Sequence, residues 1–127
     1  MVKRTLVSPD IELGSEVVRT LDAAGFPLTV ALWSLNDEAG EYELVMSTPL
    51  YDKEGQKQSY LKLLSSLSPL DQRVVHNLRM RLLGHKNPLI RGLRRTFGKT
   101  ASVEGMRLGG HAVGGVWIDD AYVYRIK

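Results

Sequence analysis

The side chains able to do chemistry in this sequence are few and widely spread. Its 127 residues include no cysteine, which removes thiolate nucleophiles, thiolate metal ligands and disulfides together. The three histidines, His76, His85 and His111, stand at no helical metal-site spacing, and no carboxylate is placed to complete a site. No metal and no cofactor is therefore expected. No serine occupies a Gly-x-Ser-x-Gly elbow. Gly98-Lys99-Thr100 ends like a phosphate-binding loop, but position 93 is leucine where that loop needs glycine, and the run follows a helix rather than a strand. Gly109-Gly110-His111-Ala112-Val113-Gly114-Gly115 could cradle a phosphate with its amides, although such glycines more simply serve bulges and close packing. Asp119-Asp120 reads as a turn pair. His111 is the general-base candidate, with nothing beside it to complete a mechanism. No catalytic residue is assigned, and the chain reads as non-catalytic.

The basic residues are more informative. Residues 1–72 carry six Lys/Arg against eleven Asp/Glu, whereas residues 73–107 carry nine against the single acid Glu104. Such asymmetry within one chain marks an anionic partner or complements the acidic part internally. Arg91, Arg94, Arg95 and Lys99, with Lys86 just before them, fall opposite the apolar Leu89, Ile90, Leu93 and Phe97 on one helical wheel. A cationic stripe of this kind binds nucleic-acid phosphates or simply stays solvated. Arg79 and Arg81 stand apart from it. If helices cover the side of Leu78, Met80 and Leu82, these two arginines point the other way, toward Glu41 and Glu43.

These residues need elements to position them, and the pattern supplies an α+β order. Ser8-Pro9-Asp10 signals a helix start. Leu13, Val17, Leu21 and Ala24 recur at helical spacing until Gly25 and Pro27. Leu28–Leu35 and Glu41–Thr48 read as a hairpin, the second strand alternating and the first apolar on both faces. That hairpin resembles the opening of GAF-type sensor domains in generic strand chemistry, but the helices that follow depart from that family and nothing is carried over. Asp52 can cap a second helix with the stripe Tyr60, Leu63, Leu64 and Leu67. Residues 70–83 are ambiguous, fitting a helix through Leu70, Val74 and Leu78 or a strand in which Leu78, Met80 and Leu82 alternate with Arg79 and Arg81. They read as a short helical piece and then a strand from about Asn77 to Leu83. Asn87-Pro88 opens a third helix, ended by Gly98. Val113–Ile118 and Ala121–Ile126 read as a closing hairpin turned at Asp119-Asp120, which pairs Gly115 with Tyr124. The expected domain is 1–127, with about three helices on a mixed or antiparallel sheet of about five strands, in the order α-β-β-α-β-α-β-β.

Two-faced strands and few helices together predict an uncovered sheet face carrying Trp33, Leu35, Trp117, Tyr122 and Tyr124. An apolar patch of that kind marks self-association or a ligand face. The leading expectation is thus an interaction or small-ligand-binding module acting as a homo-oligomer, most simply a homodimer. Second comes a nucleic-acid-binding protein using the basic helix, with aromatics stacking bases. A small hydrolase or nuclease using His111 ranks third. No apolar run reaches the roughly 20 residues of a membrane helix, and the N-terminus lacks a signal peptide's apolar stretch. No membrane partner is expected, and the cysteine-free composition fits the cytoplasm.

Overall fold

A computed structural model describes residues 5–36, 38–100 and 102–127. Helix α1, Ser8–Ala23, starts at the residue expected to cap it: Val7 is the N-cap, and the Asp10 carboxylate accepts its N–H at 3.2 Å. The acid three residues into the helix satisfies an end that valine cannot. Strands β1 (Val30–Asn36) and β2 (Glu41–Ser47) form the expected antiparallel hairpin, with Trp33 opposite Leu44.

Thr48, not Asp52, caps α2 (Pro49–Glu54), accepting the Leu50 N–H. Asp52 reaches across instead and accepts the His85 N–H at 2.8 Å. Gly55, at φ 91°, separates α2 from α3 (Gln56–Ser66), whose Ser59 and Leu63 are buried. Helix α4 (Gln72–Asn77) and β3 (Met80–Leu83) resolve the ambiguous stretch as a short helix and then a strand, and β3 runs parallel to β2. Helix α5 (Pro88–Phe97) is capped by Asn87, whose side chain accepts the Leu89 N–H at 2.9 Å.

The expected closing hairpin does not form. Strand β5 (His111–Val113) pairs with β6 (Val116–Ile118), while β7 (Ala121–Ile126) pairs with β1 and with the short β4 (Arg107–Leu108). Gly115 therefore has no strand partner in Tyr124. The reason lies in the turn. Gly114 and Gly115 both take positive φ, 59° and 79°, which a two-residue turn matching strand twist requires and which glycine alone adopts freely. No described non-glycine residue has positive φ, so Asp119-Asp120 makes no such turn. Strand β7 is apolar enough for an interior place and takes it, in a five-stranded mixed sheet of order β3-β2-β1-β7-β4.

Both faces of that sheet are covered within the chain. On one face Trp33, Leu35, Leu44 and Met46 pack with Val17 and Leu21 of α1, Leu63 of α3 and Val75 of α4. On the other, Val30, Leu32, Val45 and Val123 pack with Ile90 and Leu93 of α5 and with Val113 and Ile118 of the β5–β6 hairpin. The expected uncovered face is corrected accordingly: Trp33 is 4% exposed and Leu35 9%. The hairpin supplies the second cover that a count of helices left out.

Candidate functional site

On the face of the sheet under α1, Trp33 and Tyr124 have their polar atoms satisfied within the fold. Trp33 Nε1 donates to the Asp10 carbonyl at 3.1 Å and to Tyr124 Oη at 3.0 Å, and the Tyr124 hydroxyl donates to the Ile11 carbonyl at 2.6 Å. Burial pushes the Tyr124 hydroxyl up to about 12. Tyr122 meets Tyr124 edge-on, with ring centroids 5.3 Å apart, and both are half-buried. Trp33 and Tyr124 thus clasp α1 to the sheet rather than present a surface.

A second clasp closes one end of the sheet. The Tyr42 hydroxyl donates to Asp120 Oδ2, and Arg107 donates to both oxygens of the same carboxylate. Burial and then the hydrogen bond to Asp120 raise Tyr42 to about 12. Burial pushes Asp120 upward, but the bonds from Arg107 and Tyr42 outweigh it and hold the carboxyl below its ordinary value. Three distant parts of the sequence meet here, and no local pattern announces it. A cleft of about 700 Å3 lies beside it, lined by Leu13, Trp33, Val74 and the ion pairs Arg73–Asp71 and Arg79–Glu41. Its charges already face one another.

His111, the general-base candidate, is exposed, and its Nδ1 lies 3.1 Å from the Gly109 carbonyl. The geometry thus makes Nδ1–H the donor, and no acid among the described residues bonds to the ring. Among the described residues no group of three or more His, Asp or Glu is arranged to hold a metal ion. No helix among them is long and apolar enough to cross a membrane.

The basic helix divides into two parts. Arg94 turns back into the fold: its Nε donates to the Lys127 carbonyl at 2.7 Å, and its NH1 lies 3.2 Å from His85 Nδ1. Since guanidinium can only donate, His85 Nδ1 accepts and the proton sits on Nε2, 2.8 Å from Thr29 Oγ1. Thr29 in turn donates to the Ser47 carbonyl. Burial and then the Arg94 charge hold His85 below its ordinary value, against a weaker pull from Asp52. Arg94 is therefore a structural clamp as well as a member of the stripe.

Arg91 and Arg95 remain outward, one helical turn apart. They open with Pro88, Gly92 and Gly114 onto one shallow hollow of about 280 Å3. Lys86 and Lys99 are exposed before and after the helix. No ion pair among the described residues engages any of these four. The hollow exists because the hairpin turn is pressed onto the helix. A Cβ built at Gly92 would lie 2.6 Å from the Gly114 nitrogen, and one at Gly114 would collide with the Pro88 carbonyl.

The same packing sets the place of Trp117. It pairs with Ala112 on the outer side of the β5–β6 hairpin and is 61% exposed. It borders a groove of about 330 Å3 between the hairpin, the first turn of α5 and the sheet, with Leu89, Val45 and Arg81 on its walls. Pro88 lines the cationic hollow and its neighbour Leu89 the groove; Gly114 lines the one and Val116 the other. Of the five residues expected on one apolar face, only Trp117 is open to solvent, and it stands beside the basic residues instead. Gly114-Gly115 between Val113 and Val116 is the sequence signal that locates it.

The chain matches no protein-family model, no curated protein and no solved structure.

Proposed function

We propose that the chain is a non-catalytic binding module for single-stranded nucleic acid. One observation carries the reading: Arg91 and Arg95, engaged by no acid among the described residues, flank the hairpin turn that leads directly to the exposed Trp117. A cationic track that holds phosphates and an aromatic ring free to stack on bases are the two parts such binding uses. Arg94 contributes to the field while clamping the helix; Lys86 and Lys99 extend the track. A cytoplasmic location, fitting the cysteine-free sequence, would bring such a module to RNA or exposed DNA. A homodimer closed through an uncovered sheet face has no comparable observation behind it, because Trp33 and Leu35 are covered within the chain.

The test is binding of a labelled 12-nucleotide single strand across a range of salt. With Lys86, Arg91, Arg95 and Lys99 engaged, log affinity falls against log salt with a slope of about −3. Charge reversal at Arg91 and Arg95 together removes most of the affinity and flattens the slope. Absence of binding by the native chain at about 50 mM salt leaves these cations as a solvated face and refutes the reading.

A further inference from the structure

We infer that the groove beside Trp117 receives one unstacked base, and that its polar groups select guanine. This rests on the single-strand reading above and names what that surface recognises. The groove, about 330 Å3, is at the small end of ligand sites, a size suited to one base rather than a folded partner. Trp117 offers a stacking face, and Leu89 and Val45 supply apolar walls. Charge sorts the parts of a nucleotide between the two hollows. Glu38 and Glu43 line the groove, so they repel phosphates, while Arg91 and Arg95 attract them on the other side of the hairpin turn. A strand lying across the turn keeps its backbone on the cationic side and turns a base inward.

The polar groups left open in the groove match one base edge. Glu43 is held in place: its Oε1 accepts from Asn36 Nδ2 at 3.0 Å and lies 3.7 Å from Arg79 NH2. No hydrogen bond among the described residues engages its Oε2, and its side chain is 17% exposed. Arg81 shares the groove and makes no ion pair among the described residues, with Glu43 or any other acid. A carboxylate that accepts and a guanidinium that donates need a base offering donors and an acceptor on one edge. Each carboxylate oxygen has two accepting sites, so Glu43 can take guanine N1–H and N2–H on Oε2 and on the site of Oε1 that Asn36 leaves free, while Arg81 donates to O6. Thymine and uracil offer one donor between two acceptors. Adenine and cytosine offer a single amino group beside acceptors, so a carboxylate keeps only half of its contacts.

The experiment uses the full chain and four 12-nucleotide strands, oligo-dT and the same strand with a central dG, dA or dC. Binding is read by anisotropy and by quenching of Trp117 fluorescence. The expected result is at least about tenfold tighter binding of the dG strand, the discrimination of one good paired contact. Glu43→Gln abolishes that preference while salt-dependent binding of oligo-dT persists, and its unfolding midpoint stays near that of the native chain. Should Glu43→Gln fail to fold, Arg81→Gln, at an exposed position, serves the same purpose. Guanosine monophosphate alone quenches Trp117 saturably, and the adenosine and uridine monophosphates do not. Equal affinity for all four strands, or preference for another base, overturns the guanine site and leaves the single-strand reading standing. Failure to bind any strand overturns both.

Discussion

Replacing Gly92 with alanine sets two physical effects against each other. Gly92 lies in the interior of α5 at ordinary helical φ, where alanine is preferred over glycine by about 1 kcal/mol. Helix propensity alone therefore predicts a more stable protein. The tertiary structure predicts the reverse. The new Cβ would lie 2.6 Å from the Gly114 nitrogen, 2.7 Å from its Cα and 3.0 Å from the Val113 carbonyl carbon. These are backbone atoms of a tight turn and cannot rotate away as a side chain would. Relief requires the β5–β6 hairpin to lift from α5, loosening Val113 and Ile118 in the core they share with Ile90 and Leu93. Overpacking of this kind costs about 1–3 kcal/mol, and contact with backbone puts this case at the upper end. The net expectation is a loss of about 1–2 kcal/mol. Unfolding is followed by circular dichroism, and for a chain of this length the loss lowers the midpoint by about 3–8 °C. Single-strand binding weakens as well, since the cationic hollow and the Trp117 groove both depend on that contact. A midpoint at or above the native value would show that the hairpin does not pack on α5 as described, and with it the account of the site would fall.

Acidification should destabilise the fold through His85. Its folded pKa lies below the unfolded value of 6.5, so its contribution is complete above that value and is lost as pH falls toward the folded pKa. His85→Gln should flatten the change in denaturation midpoint between about pH 8 and 5, and an unaltered slope would count against the Arg94–His85–Thr29 chain. Asp120→Asn should cost about 1–2 kcal/mol at neutral pH by weakening the Arg107 and Tyr42 contacts. Because the Asp120 carboxyl is held below its ordinary value of 3.8, the native chain loses this contribution as pH falls below that value, so the gap between the two proteins narrows in acid; a constant gap would place the cost elsewhere. Trp117→Phe should remove nearly all acrylamide-quenchable tryptophan emission and change stability by no more than about 0.5 kcal/mol, as surface substitutions do. Strong residual quenching would mean that Trp33 is reachable and the face beneath α1 is open.

Local pattern alone determined much of this protein. The helices from Ser8 and Pro88 and the Val30–Ser47 hairpin follow from side-chain period and from caps within a few residues, whereas residues 70–83 fit both periods and were settled by the pairing of β3 with β2. The outward set of basic residues on α5 also follows from period, because the wheel fixes which side chains oppose Ile90 and Leu93. Of the two arginines expected to meet Glu41 and Glu43, Arg79, just before β3, does so, at 2.9 Å from Glu41, whereas Arg81 makes no ion pair among the described residues. Pairings between distant segments were decided by the tertiary structure. Whether Ala121–Ile126 turns back on its neighbour or crosses to β1 depends on which arrangement buries more apolar surface, a comparison of whole folds rather than of windows. Two adjacent positive-φ positions at Gly114-Gly115 tipped it, placing the turn earlier than Asp119-Asp120 and releasing the last strand to an interior place between β1 and β4. That choice buried Trp33 and Leu35, bound Asp120 to Tyr42 and Arg107, drew Arg94 onto His85 and the terminal backbone, and left Trp117 in solvent beside Arg91 and Arg95. A sequence states what each side chain can do, but its neighbours are set by contacts whose energies arise only when the segments close on one another.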